Sequence, residues 1–150
     1  MGISAYQARN LLATEGQVAP ALRAQTLQGT LYDLADTKDR PVLIYFFAPW
    51  CPYCSASAAN LVRLREWRST EALEILVVAL DWETAEQIQA YSDEHELNMP
   101  VLLGDPSVAR DWKISGFPSY YVLDGEHNVV SRDFGYSTQL GLWWRSWFAG

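Results

Sequence analysis

The run VLIYFF, Val42 to Phe47, constrains this chain more than any other feature. Six apolar or aromatic residues follow Pro41 with no polar break. A strand with one wet face alternates polar and apolar residues, so an unbroken run of this kind reads as a strand buried on both faces. The segment LEILVVAL, Leu73 to Leu80, repeats the pattern. Two such strands need covering layers on both sides of their sheet.

The rest of the chain supplies those layers. A short helix over 4–13 opens it, and 18–34 reads as two short strands around a turn at Gln28-Gly29. After the first buried strand, CPYCSASAANLVRLREWR has Pro52 where a first helical turn tolerates it. Ala58, Leu61 and Val62 follow at helical spacing, with Leu64 and Trp67 widening the stripe. Thr84 reads as an N-cap for a helix reaching Glu94. MPVLLGD is strand-like, a short helix is expected over Val108 to Trp112, and GFPSYYVLD is a third strong strand. Asp124-Gly125 turns the chain into NVVSRDF as a hairpin partner. Ser137 or Thr138 caps a last helix whose Leu140, Trp143, Trp144 and Trp147 form a stripe that reads as cover for the sheet. Strands alternating with helices imply an α/β sandwich with a mixed central sheet. With no repeat, linker or low-complexity stretch, 150 residues read as one domain over 1–150, with 1–17 as a helical N-terminal extension.

Bulk properties exclude several function classes. A net charge of -7 opposes nucleic-acid binding, which needs clustered Lys and Arg against phosphate. It also opposes a basic hold on anionic lipid. No run reaches the ~20 apolar residues of a membrane helix. The start, MGISAYQARN, lacks the basic flank and apolar core of a signal peptide, which taken literally means cytoplasm. A chain that has lost an N-terminal anchor would start the same way.

The chemistry centres on the two cysteines, Cys51 and Cys54. They make a poor staple, because closing so short a loop removes little entropy from the unfolded chain. A structural zinc site wants four ligands, and His95 and His127, 32 positions apart, read as plain surface residues. No metal or other cofactor is expected. Cys51 falls where a helix begins, among unpaired N–H groups and the positive end of the dipole, which favour a thiolate. Cys54 lies one turn further in, on the same side and more buried. That arrangement gives an accessible nucleophile with a shielded resolving thiol. A two-coordinate Cu(I) site on the same two thiolates is the alternative of a different class.

With these motifs in view, the chain resembles the thioredoxin superfamily from Val18 onward. YFFAPWCPYC is similar to the family's strand and W-C-x-x-C at a helix start; ISGFPSYYVLD is similar to its second signature, in which a cis proline faces the disulfide. The resemblance implies a thioredoxin-like fold, a mixed sheet flanked by helices with an N-terminal strand extension and a βα insertion over 74–100. It casts Cys51 and Cys54 as the catalytic pair. Trp50, Pro52, Tyr53, Phe117 and Pro118 become the substrate groove, where the Phe117 backbone pairs with an extended substrate segment. The strand additions look like the TlpA-like branch. The tail FGYSTQLGLWWRSWFAG further resembles the suppressor-of-copper-sensitivity D type of protein disulfide oxidoreductase.

From that resemblance follow a thiol-disulfide oxidoreductase acting on protein disulfides or dithiols, a periplasmic location behind an inner-membrane anchor, and a monomer recharged by a membrane electron transporter of the DsbD type. Two departures leave the proton relay open. Tyr45 stands where thioredoxin has a buried Asp, and Ser57 where some TlpA-like reductases have a Glu. Asp81, at the end of the second buried strand, is a candidate substitute. Glutaredoxins share the Cys-Pro-Tyr-Cys spacing but lack the Trp before it. A peroxiredoxin pocket needs a Thr where Phe47 or Trp50 stands.

Overall fold

The computed structural model describes residues 17–37 and 39–134, with side chains through 132. The expected helices over 4–13 and after Ser137, and the Trp143-Trp144-Trp147 stripe, lie outside the described residues.

An eight-stranded sheet runs through the described chain: β1 (Gln17–Val18), β2 (Arg23–Thr26), β3 (Leu31–Asp33), β4 (Val42–Phe47), β5 (Glu74–Ala79), β6 (Val101–Leu103), β7 (Ser119–Leu123) and β8 (Asn128–Phe134). Their spatial order is β1-β8-β7-β4-β5-β6-β2-β3. β4 pairs in parallel with β5 and β5 with β6, while β7, β8, β1, β2 and β3 join antiparallel. The sheet is therefore mixed. Three helices accompany it: α1 (Pro52–Trp67), α2 (Ala85–His95) and α3 (Pro106–Asp111), plus a 3-10 turn at Leu34–Thr37.

All six residues of β4 and all six of β5 are buried; β4 is apolar throughout and β5 is apolar after Glu74. Alternate side chains serve opposite faces. Leu43, Tyr45 and Phe47 pack with Leu61 and Leu64 of α1 and Ile88 of α2. Leu76, Val78, Ile44 and Phe46 pack with Val108 and Trp112 around α3. The core is thus two apolar layers, with β4 and β5 between them.

Local chemistry sets the helix boundaries. α1 starts at Pro52 and buries Cys54, Ala58, Leu61 and Leu64 along one stripe. Trp67 does not extend that stripe inward as the spacing suggested: it is 63% exposed, one residue before the Arg68 C-cap. α2 has a reciprocal cap. Thr84 accepts from Gln87 N–H at 3.1 Å, and Gln87 Oε1 accepts from Glu83 N–H at 2.9 Å. α3 starts at Pro106 behind its Asp105 cap, two residues upstream of the start expected at Val108.

The first hairpin turns at Gln28-Gly29, with Gly29 at φ 87 where a side chain would be strained. β1 is a further short strand, held against β8. The second hairpin differs from the two-residue turn expected at Asp124-Gly125. It spans 124–127, closes through His127 N–H to Asp124 C=O at 3.0 Å, and puts His127 at φ 65. His127 is not a surface residue either. It is buried, with Nε2 3.1 Å from Thr37 Oγ1.

Candidate active site

Because β4 is central and β7 runs antiparallel to it, the end of β4 and the start of β7 meet at one edge of the sheet; Phe46 lies opposite Ser119. That register brings the two sequence signatures together. Past β4 the chain turns at Ala48, whose carbonyl accepts from Cys51 N–H at 3.1 Å. Cys51 is the N-cap of α1, with extended φ/ψ of −84 and 116, and its Sγ accepts from the Cys54 N–H at 3.3 Å. The sulfur of the nucleophile candidate thus accepts one of the otherwise unpaired N–H groups in the first turn of a sixteen-residue helix. Both cysteines are free thiols.

Both are also buried, Cys51 at 3% and Cys54 at 0% exposure. The order of burial is as expected, but Cys51 is far less open than the word accessible implies. Its sulfur serves the cap, and it belongs to a buried cluster against which Trp82, Tyr91 and Phe117 pack. Burial pushes the Cys54 thiol up to about 12, and its hydrogen bond with Cys51 pushes the same way. Cys54 therefore rests as a neutral thiol at ordinary pH.

The positions that depart from relay residues are occupied differently. Tyr45 is buried in β4, and its hydroxyl donates to the Cys54 carbonyl at 3.0 Å, tying strand to helix below the pair. Burial pushes its phenol well above the usual range, and the nearby Cys54 adds to this. The Ser57 hydroxyl donates to the Tyr53 carbonyl at 2.8 Å. Asp81, exposed after β5 at φ 51, accepts from the Trp50 indole Nε1 at 2.7 Å. Its carboxylate is engaged with the Trp50 indole.

Around the pair, Trp50 and Tyr53 are 62% and 63% exposed. The Trp50 ring meets Phe117 edge-on, with centroids 5.7 Å apart at 85°. The Phe117–Pro118 peptide bond is cis. Pro118 is buried, and the Ser119 hydroxyl that follows donates to the Gly116 carbonyl at 2.8 Å. Trp50, Phe117 and Asp81 are therefore linked in one frame beside Cys51. Pro52 begins the helix and sits exposed next to Tyr53.

One residue was not singled out from sequence. Tyr91 of α2 stacks on Phe47 at 4.6 Å and packs against the cluster that contains both cysteines. Its hydroxyl is buried without a hydrogen-bond partner among the described residues, and Ser55 is the neighbouring hydroxyl. Burial pushes its phenol up, and the two cysteines act in the same direction. The signal was present: Ile88, Tyr91 and His95 recur at i, i+3, i+7, an inward stripe of α2.

Among the described residues no group of three or more His, Cys, Asp or Glu side chains is placed to hold a metal ion. His127 lies at the opposite end of the sheet, in the turn after Leu123, which pairs with Val42. His95 packs on Tyr91 at 4.3 Å. No helix of the described residues is long and apolar enough to cross a membrane.

Comparison with known proteins agrees with this geometry. Residues 16–132 match the AhpC/TSA family. The chain belongs to the AhpC/TSA family. Within reach of this family member are the thioredoxin-like protein YneN of Bacillus subtilis and the thiol:disulfide interchange protein HelX of Rhodobacter capsulatus. YneN is 30% identical over 129 residues, covering 83% of this chain and 74% of that one. HelX is 30% identical over 132 residues, covering 85% and 72%. Among solved structures, the thioredoxin domain of a thiol-disulfide oxidoreductase from Bacteroides vulgatus superposes with a TM-score of 0.82 at 24% identity, covering 93% of this chain and 99% of that one. A thioredoxin-family thiol:disulfide interchange protein from Chlorobium tepidum gives 0.80 at 22%, covering 91% and 98%. The fold of this AhpC/TSA family member is thioredoxin-like.

Proposed function

We propose that the chain is a protein thiol-disulfide oxidoreductase working through Cys51 and Cys54. The observation that carries this reading is the Cys51 sulfur at the α1 N-cap, accepting the Cys54 N–H at 3.3 Å, with Cys54 fully buried behind it. The names of the relatives support the same activity.

In the reducing direction, the Cys51 thiolate attacks one sulfur of a substrate disulfide. A Cys51–substrate disulfide forms, and the other substrate sulfur leaves as a thiolate and takes a proton. Cys54 then gives up its proton and attacks the Cys51 sulfur, so the second substrate thiolate leaves and is protonated. The substrate gains two electrons and two protons, and the pair ends as a disulfide. In the reverse direction a substrate dithiol is oxidised. An extended substrate segment lies along Phe117 and Pro118, with Trp50, Pro52 and Tyr53 framing it. Asp81, bonded to the Trp50 indole, is a positioning residue in this reading and not the relay.

We further read the chain as a single-domain monomer and a periplasmic reductant, anchored at the inner membrane in its full-length form and recharged by a membrane transporter of the DsbD type. Relationship to thiol:disulfide interchange proteins supports this. The likeness of the tail to the suppressor-of-copper-sensitivity D type supports a link to copper or redox stress. Superfamily potentials span about −270 to about −120 mV, and a value near the reducing end is expected.

Insulin reduction tests the activity. The wild-type protein should precipitate insulin chains in the presence of a thiol reductant, and Cys51→Ser should not. Full activity in Cys51→Ser would overturn the reading. Tight Cu(I) binding without any turnover would favour a carrier that uses the same two thiolates.

A further inference from the structure

A cavity of about 600 Å³ opens beside the Trp50–Phe117 frame. Its walls are mainly apolar, built from Leu80, Trp82, Pro106 and Phe117, and two carboxylates, Asp81 and Asp105, line it. It shares Asp81 and Phe117 with the frame beside Cys51. We propose that this cavity is a specificity subsite for a basic side chain, Lys or Arg, flanking the reacting cysteine of the substrate. The proposal rests on the oxidoreductase reading above.

The lining selects that chemistry. Lys and Arg lay an apolar stem along hydrophobic surface and keep the charged head at a polar rim. A purely apolar occupant would strip water from two carboxylates and return no partner to them. An acidic occupant would be repelled. Asp105 is held ionised: its oxygen accepts from the Ser107 hydroxyl and from the N–H groups of Ser107 and Val108, which keep its carboxyl below the usual carboxylate range. Asp81 keeps one oxygen on the Trp50 indole.

Neither Asp81 nor Asp105 takes part in the ion pairs seen among the described residues. The ion pairs of the described residues join Arg23 to Asp33, Arg40 and Arg65 to Glu74, and His95 to Glu94. Arg110, on the same helix as the Asp105 cap, contributes a weaker attraction without forming an ion pair. The net charge of -7 draws cationic segments toward the molecule as a whole.

The test uses one peptide disulfide in a matched series. Lys, Arg, norleucine or Glu is placed in turn at each of the two positions before and after the cysteine, and kcat/KM for reduction is measured. At one position Lys and Arg should exceed norleucine by about fivefold to tenfold, the size expected of two solvent-exposed charge pairs, and Glu should fall below norleucine. That advantage should shrink with added salt. It should also shrink to about twofold to threefold in Asp105→Asn and in Asp81→Asn, both of which retain a hydrogen-bond acceptor, and to about onefold in the double variant. Equal rates across the series, or norleucine above Lys at every position, would overturn the subsite and leave the activity standing. Reduction of no peptide at all would overturn the activity itself.

Discussion

Tyr45→Phe separates two readings of the residue that replaces the buried acid of thioredoxin. The substitution removes one oxygen and leaves the ring in place, so its packing on Tyr120 at 5.1 Å and on Phe47 at 6.2 Å is retained. What disappears is the 3.0 Å hydrogen bond to the Cys54 carbonyl. A buried hydrogen bond of this kind contributes a net ~1 kcal/mol, within a range of about 0.5–1.5 kcal/mol. The carbonyl is not orphaned, because it lies inside α1 and keeps its helical donor, so the loss should not exceed that range. For a chain of this size, about 1 kcal/mol lowers Tm by about 2–4 °C. Urea unfolding of the reduced protein should show the same deficit with an unchanged m-value. The pH profile of insulin reduction should not move, because the hydroxyl is committed to a backbone carbonyl and its phenol is pushed far up by burial. A shifted pH profile, or a rate loss of more than about tenfold with stability intact, would refute the structural role and make Tyr45 part of the proton path.

Three further outcomes follow from the same coordinates. Gly104→Ala should destabilise by about 1–3 kcal/mol, because its Cβ would sit 2.8 Å from Leu80 Cδ2 and 2.9 Å from Val78 Cγ1; an unchanged urea midpoint would count against that close packing. Glu74→Ala should cost about 3 kcal/mol, since the carboxylate holds Arg40 at 3.3 Å, Arg65 at 3.9 Å and the Tyr32 hydroxyl at 3.0 Å. The Cys54 thiol titrates at about 12 in the fold against an ordinary 9.0, so the unfolded chain gives up that proton first as pH rises. Its contribution to stability is therefore complete below about pH 9 and is lost as pH climbs toward about 12. Comparing the alkaline stability curves of reduced wild type and Cys54→Ala should show the steeper fall in the wild type, and coincident slopes would contradict the assignment.

What the sequence showed plainly is chemistry carried by local spacing. VLIYFF and LEILVVAL could only be strands with cover on both faces, and Pro52 behind Cys51 marked a helix start. Thr84 read as a cap because its hydroxyl reaches an N–H three residues on. Contacts made across the sheet were less visible. The Trp50–Asp81 bond exists because β4 and β5 end level, with Phe47 opposite Ala79, and no spacing within either segment announces it. Trp67 followed the helical stripe in sequence, yet α1 has run past the buried layer by that residue and the indole faces water. His127 looked like a loop histidine, but its turn folds back so that the ring reaches Thr37, 90 positions away. Burial of Cys51 was underestimated for a similar reason, because Tyr91 and Phe117, which pack against the buried cluster that holds it, lie 40 and 66 positions further along the chain.

The most direct test of the central claim is to trap the exchange itself. Cys54→Ser protein, reduced and then mixed with a disulfide-containing substrate, should accumulate a covalent adduct that mass spectrometry under non-reducing conditions maps to Cys51 and that a reductant releases. Cys51→Ser treated in the same way should yield none, because Cys54 is fully buried and rests as a thiol. An adduct on Cys54 in Cys51→Ser, with none on Cys51 in Cys54→Ser, would contradict the account.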